Sequence, residues 1–324
     1  MAELRPFEQL PFAAVPERPR LPHRYFEAKL EDVRINTRPY GSLSIRVARF
    51  GRGSPIVLVH GFMTTSYSFR YLFEPLGLQH EVVAFDLPGA GDSDKPSGPY
   101  DPVSLAQSIA DIVRGLGVAG APMIGNSLGG YLALRVALSE PETIGRLVCL
   151  HPPGLPTARM RALRVALDVI PRPDRVVRAL VRRDPERWVH KNVHYFDETL
   201  KSREEHREYA RPLRTEAGIS AFFAMLDRTL DVRAMAAFER ELTGRAAAFP
   251  VPLMLVYVRR DPMVPPAIGA RFAEIVPSAK LVWLERASHF AHVDAPADFL
   301  RAALPFLPFL PSVTPADGAP GRTL

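Results

Sequence analysis

Six short, nearly continuous apolar runs constrain this chain more than any other feature. They lie at residues 56–59, 82–85, 123–124, 147–150, 253–258 and 281–284. Runs of that length suit strands buried on both faces of a parallel sheet. Helical patterns at 103–116, 128–138 and 267–275 separate them. That alternation predicts a doubly wound α/β domain. Two earlier strands are expected at 32–37 and 42–50, the second alternating Leu43, Ile45 and Val47 with polar neighbours. Together they make an eight-stranded, mostly parallel sheet.

The alternation stops after Leu150. From Pro152 to about Phe238 the pattern is helical, with no buried strand and with prolines at 156, 171, 173, 185 and 212. Met160, Leu163, Leu167 and Ile170 recur at helical spacing, as do Phe222, Met225 and Leu226. We therefore expect an N-terminal extension and first strand over 1–40, core over 41–151, a helical insertion over 152–238, and core again over 239–304. The insertion reads as a cap over a site; an accessory domain is the alternative. Residues 305–324 form a proline-rich tail whose end is expected to be disordered.

A charge of +6 is concentrated rather than spread. Between Pro156 and Thr215 there are 15 Lys and Arg against 9 Asp and Glu. The simplest reading is a solvated helical surface, with His190, His194 and His206 exposed on it. Attraction of acidic substrates, or peripheral contact of this basic segment with an anionic membrane, stays open. No aromatic interleaving or nucleic-acid motif accompanies the charge, so no nucleic-acid partner is expected. Cys149 is the single cysteine, which excludes an internal disulfide and any multi-cysteine metal site. No apolar run is long enough to span a bilayer, and residues 1–16 carry no secretory pattern. A cytoplasmic location is expected.

The chemistry centres on Gly125-Asn-Ser127-Leu-Gly129-Gly130, a G-x-S-x-G pattern. A serine at the tip of a tight strand-to-helix turn stands clear of the sheet, and its small neighbours let strand and helix approach. The helix start then offers unpaired N–H groups and a favourable dipole to a developing anion. The pattern alone is common; an apolar strand before it and an amphipathic helix after it make it informative. His60-Gly61-Phe62 follows the strand at 56–59, where a glycine turn can aim a backbone N–H at an oxyanion. The N–H groups of Phe62 and Leu128 are the expected donors, and His60 is read as a structural brace.

Serine needs a base, and the imidazole needs a carboxylate to hold its tautomer. His289 and Asp261 each follow a predicted strand, on the sheet edge that carries Ser127. His292 is a rival base, and His151 is read as structural or as lining the substrate side. No acid occurs between Leu147 and Leu155. No metal-ligand motif or phosphate-cradling glycine loop is present, so neither a metal nor a cofactor is expected.

Taken together, these residues resemble the α/β-hydrolase superfamily, in its capped single-domain branch. His60-Gly61 resembles the oxyanion loop, and Asp86-Leu-Pro-Gly89-Ala-Gly91-Asp-Ser93 resembles the D-x-x-G-x-G-x-S loop of the family. Asp261 with Pro265 resembles its acid turn, and His289 with Asp294-Ala-Pro296 its histidine loop. Departures are Met63, where the family often has proline, and Val258 and Ser288, where it often has glycine. The resemblance implies a helical cap after the sixth strand and a serine esterase or lipase-like activity, with Ser127, His289 and Asp261 as the triad. It further implies a small-molecule acyl substrate, with a lipid-like one left open. A carbon–carbon bond hydrolase, a thioester hydrolase or acyltransferase, and a non-catalytic ligand-binding member are the alternatives. The glycine-rich oxyanion loop of the carbon–carbon hydrolases is absent, where the sequence reads Phe62-Met-Thr-Thr-Ser.

Overall fold

The computed structural model describes residues 5–157, 174–229, 231–245 and 248–307. Eight strands form one sheet: β1 (Lys29–Thr37), β2 (Gly41–Gly51), β3 (Ser54–Val59), β4 (His80–Phe85), β5 (Met123–Asn126), β6 (Leu147–Leu150), β7 (Leu253–Val258) and β8 (Lys280–Leu284). Their order is β1-β2-β4-β3-β5-β6-β7-β8. The first three in that order pair antiparallel, and every pairing from β4 to β8 is parallel. This is the α/β-hydrolase sheet. All six residues of β7 are buried, as its unbroken apolar run requires for a strand covered on both faces.

Helices cover both faces. Those preceding the segment between β6 and β7 are α1 (Arg70–Gly77), α2 (Pro102–Gly115) and α3 (Leu128–Ser139). Asp101 caps α2 by accepting from Val103 and Ser104 N–H groups, and Pro102 fits the first turn, where no N–H is needed. Between β6 and β7 the described helices are α4 (Asp174–Arg183), α5 (Pro185–Asn192), α6 (Arg203–Ala210), α7 (Glu216–Thr229) and α8 (Val232–Gly244). After β7 come α9 (Pro266–Ile275), α10 (Ala291–Asp294) and α11 (Pro296–Ala303). One core packs α2, α3 and α9 against one face through residues such as Ile109, Leu132 and Phe272; the other packs α1, α10 and α11 through Phe73, Val293 and Phe299. Met160, Leu163, Leu167 and Ile170, most of the basic segment before Asp174, and the tail from residue 308 lie outside the described residues. Among the described residues, no helix is long and apolar enough to cross a membrane.

Two features go beyond the sequence reading. The N-terminal extension, expected only as a segment ahead of the first strand, lies across α5 and α6. His190 Nε2 meets the Leu10 carbonyl at 2.9 Å, Arg203 N–H donates to the Pro16 carbonyl at 2.8 Å, and the Phe12 ring stacks on His206 at 5.8 Å. The charged stretch is also not simply a wet surface. Glu198, Lys201 and Glu205 are buried, and of the three histidines expected on the surface His190 and His206 are buried while His194 is partly exposed. For Lys201 and the two carboxylates the reason is pairing. Lys201 Nζ lies 2.6 Å from Glu198, and Glu205 meets Arg70 of α1 at 2.5 Å with the Tyr195 hydroxyl donating to it at 2.6 Å. Charge counting along a sequence cannot separate a buried ion pair from two solvated side chains.

Candidate active site

The site lies along the carboxyl ends of the parallel strands, where the chain order reverses and a crevice opens. Ser127 joins β5 to α3 with φ 51° and ψ −118°, a left-handed conformation that a non-glycine residue adopts only under constraint. The constraint is visible on both sides. Ser127 N–H donates to the Leu150 carbonyl at 2.7 Å, and its own carbonyl accepts from Tyr131 N–H at 3.0 Å. A Cβ on Gly129 would sit 2.2 Å from the Val59 carbonyl oxygen, and one on Gly125 would sit 2.7 Å from Gly129. Both positions exclude a side chain because backbone meets backbone there. Ser127 itself is partly exposed, so a substrate can reach it.

Opposite Ser127 stands the turn after β3. A Cβ on Gly61 would lie 2.9 Å from Asn126 Oδ1 and 3.2 Å from the Ser127 Cβ, so the glycine lets this turn pack closely against the serine turn. Leu87 N–H donates to His60 Nε2 at 2.9 Å, which leaves the proton on Nδ1 to donate to the Gly61 carbonyl at 2.7 Å. His60 is thus a brace between two loops. Burial lowers its pKa and keeps it neutral. Leu128 begins α3, where an N–H has no partner within the helix. Phe62 follows Gly61 in the turn, its ring stacked on Phe222 of α7 at 4.8 Å.

The loop after β4 explains its own motif. The Asp86 carboxylate accepts from Ser66 N–H at 2.8 Å and from Asp92 N–H at 2.9 Å. Gly91, at φ 48°, passes so close that a Cβ there would lie 1.8 Å from Asp86 Oδ2.

His289 and Asp261 meet across the ends of β8 and β7. His289 Nδ1 lies 2.7 Å from Asp261 Oδ2, while Asp261 Oδ1 accepts from the backbone N–H groups of Met263 at 2.7 Å and Val264 at 2.9 Å. Burial raises the carboxyl pKa, but the imidazole and these donors outweigh it and hold the group down at about 2. Asp261 is therefore ionised at neutral pH. The His289 loop is held twice more: Asn126 Nδ2 donates to the His289 carbonyl at 3.1 Å, and Asp294 accepts from Ser288 N–H at 3.0 Å and Phe196 N–H at 2.9 Å. Burial outweighs those donors and raises Asp294 to about 6.

The other two histidines near the site differ in placement. His292 is fully buried, with its ring 4.9 Å from Phe69 and neither nitrogen hydrogen-bonded among the described residues. Its pKa is driven well down, by burial first and then by Arg70. His151 follows β6 at φ 48°, fully buried, with its ring 5.3 Å from that of His289. Burial lowers it to about 3 despite the nearby Asp261 carboxylate, so it is neutral. One candidate ligand atom from each of His151, Asp261 and His289 lies within 4.8 Å of the other two. The sequence pairs His289 with Asp261, but nothing in it signals that His151, far away along the chain, joins them. Asn126, hidden at a variable position of the motif, was equally unreadable as the tie to the His289 loop.

Beside Gly61 and Phe62 is a narrow cavity of about 30 Å³, lined also by Met63, Leu213, Phe222 and Met225, with no charged side chain among its described walls. A groove of about 440 Å³ lined by Arg34, Asp111 and Arg114 lies against β1 and α2, away from this chemistry.

Residues 54–296 match the family model for the alpha/beta hydrolase fold. This chain belongs to that family. The putative carbamate hydrolase RutD of Azorhizobium caulinodans is 26% identical over 265 residues, covering 79% of this chain and 92% of that protein. The pimeloyl-[acyl-carrier protein] methyl ester esterase of Aeromonas salmonicida is 27% identical over 264 residues, covering 80% and 97%. Among solved structures, wild-type Cfl2 from Burkholderia cenocepacia superposes with a TM-score of 0.72 at 21% identity, covering 91% of this chain and 99% of that one. That last likeness concerns the fold. The hydrolase members among the relatives support a hydrolase.

Proposed function

We propose that this α/β-hydrolase cleaves a carboxylic ester through an acyl-enzyme intermediate. The observation that carries the reading is the His289–Asp261 hydrogen bond of 2.7 Å, set on the sheet edge where Ser127 is strained and accessible. Ser127 Oγ attacks the acyl carbonyl as His289 Nε2 takes the hydroxyl proton. Asp261, bonded to Nδ1, fixes the tautomer and stabilises the imidazolium. The tetrahedral oxyanion is held by the N–H groups of Phe62 and Leu128, together with the dipole of α3. His289 then returns the proton to the departing alkoxide. Water repeats the sequence: His289 takes its proton, hydroxide adds to the acyl carbonyl, and Ser127 leaves reprotonated.

The segment between β6 and β7 acts as a cap in this reading, since Leu213, Phe222 and Met225 wall the cavity beside Phe62. Its mostly apolar walls favour an uncharged group over a carboxylate, since even a neutral polar group buried without a partner costs about 2–7 kcal/mol and an unpaired charge costs more. The reading is tested with a substrate panel of p-nitrophenyl esters, a thioester and a vinylogous diketone, run on wild type and Ser127→Ala. The ester reading expects the largest kcat/KM for an ester and its loss by about 10⁴-fold or more in the variant. A clear preference for the diketone or thioester would replace the ester reading while keeping the serine chemistry. No turnover of any substrate by folded protein would favour a ligand-binding role.

A further inference from the structure

His151 stands beside the site without a part in the hydrolysis just proposed. It is fully buried, its backbone is left-handed at φ 48°, and its ring nitrogens have no well-formed hydrogen bond among the described residues beyond a weak contact with the His289 backbone. A buried, unpaired polar group in a strained backbone calls for a partner, and an ion is one such partner. The three strands β6, β7 and β8 lie side by side and deliver His151, Asp261 and His289 to one place. One potential ligand atom of each lies within 4.8 Å of the other two.

The geometry points to a divalent transition-metal site formed by His151, Asp261 and His289, suited to Zn²⁺, whose occupation inhibits the hydrolase. Two imidazoles and one carboxylate are the donor types of three-ligand zinc sites, which leave a fourth position open. Ligand atoms around tetrahedral zinc are about 3.3 Å apart, as bond lengths of about 2.0–2.1 Å require. The group must therefore contract modestly on the His151 side and widen slightly from the 2.7 Å separation of His289 and Asp261. His151 gives up only a weak contact with the His289 backbone in that movement. Mg²⁺ and Ca²⁺, which require oxygen ligands, are excluded by the two nitrogens. Inhibition follows from shared ligands. An ion on His289 Nδ1 displaces the Asp261 hydrogen bond, and an ion on Nε2 takes the lone pair that would accept the serine proton.

Zn²⁺ binding here stands on the side-chain geometry alone, whereas inhibition rests on the serine hydrolase reading, so the two are measured separately. Isothermal titration calorimetry of the metal-free full chain with ZnCl₂, in a buffer that does not chelate, is expected to give one tight site. His151→Gln is expected to weaken it by at least the 10–100-fold typical of losing even an outer partner of a metal ligand. MgCl₂ is expected to give no heat. With wild type alone, zinc X-ray absorption is expected to show two imidazole ligands, which decides the matter should the variant fail to fold. Inhibition by Zn²⁺ that EDTA reverses completes the expected pattern. Absence of zinc binding, equal affinity in His151→Gln, or a bound zinc without imidazole ligands overturns the site. Zinc bound at this site with full activity retained overturns the inhibition.

Discussion

His289 Nδ1 and Asp261 Oδ2 are 2.7 Å apart, bridging the carboxyl ends of two adjacent parallel strands. The other Asp261 oxygen is committed to the backbone N–H groups of Met263 and Val264. The two oxygens of the carboxylate therefore act separately, one shaping the turn and the other orienting the imidazole. Asp261→Asn keeps an oxygen for the turn but offers the ring an amide, which favours the wrong tautomer. The expected result is a folded protein with kcat lower by about 10⁴-fold and KM little changed. Steady-state kinetics on an activated ester, with circular dichroism to verify folding, checks it.

Gly129 tests the turn itself. Because a Cβ there would meet the Val59 and His60 carbonyl oxygens at 2.2 and 2.5 Å, Gly129→Ala must push α3 away from β3. That displaces the Leu128 N–H relative to Phe62. We expect a loss of about 1–3 kcal/mol in urea unfolding, and activity lower by about 10²–10³-fold, as for loss of one oxyanion donor. A variant with wild-type kinetics would mean that the close approach is not needed for the chemistry.

Arg70 and Glu205 tie α1 to α6 through a fully buried pair. Removing one charge strands the other. Arg70→Met is expected to cost about 3–5 kcal/mol, and adding Glu205→Leu to recover much of that loss. Urea denaturation of both variants measures the difference; a double variant no more stable than the single one would show that the pair is not the reason for the loss.

His206 carries a pH dependence. Burial, aided by His190, Lys201, Arg203 and Arg207, lowers its pKa to about 3 from an ordinary value of 6.5. The folded protein binds this proton more weakly than the unfolded chain. The stability it contributes is therefore fully present above pH 6.5 and is lost as pH falls toward 3. Between pH 7.5 and 4.5 the loss from this group is about 2–3 kcal/mol. Comparison of wild type with His206→Phe at the two pH values isolates it, since other titrating groups are common to both. An equal pH response in the two proteins would assign acid sensitivity elsewhere. Phe12 packs on this ring, so the same protonation is expected to loosen the N-terminal extension.

The sheet was readable because its signals are local. Two runs, 147–150 and 253–258, coincide with β6 and β7, and the other strands extend one to three residues beyond their apolar centres. Ser127, Asp261 and His289 were nameable because each sits just past such a run. What escaped the sequence was mostly long-range. Glu205 looks like a surface charge until Arg70 arrives from elsewhere in the fold, and the local Glu198–Lys201 pair gives no sign in the sequence that the fold buries it. Asn126 reaches His289 across 163 positions, and His151 reaches Asp261 and His289 across two strand crossovers. The N-terminal extension has no periodicity because its contacts are scattered, one residue at a time, over α5 and α6.

Labelling with a fluorophosphonate probe tests whether Ser127 is an activated nucleophile. Mass spectrometry of digested wild type and Ser127→Ala protein locates the adduct. A single adduct is expected on Ser127, absent from the variant and suppressed in His289→Ala. Folded wild-type protein that stays unlabelled, or carries its label on another residue, would contradict it.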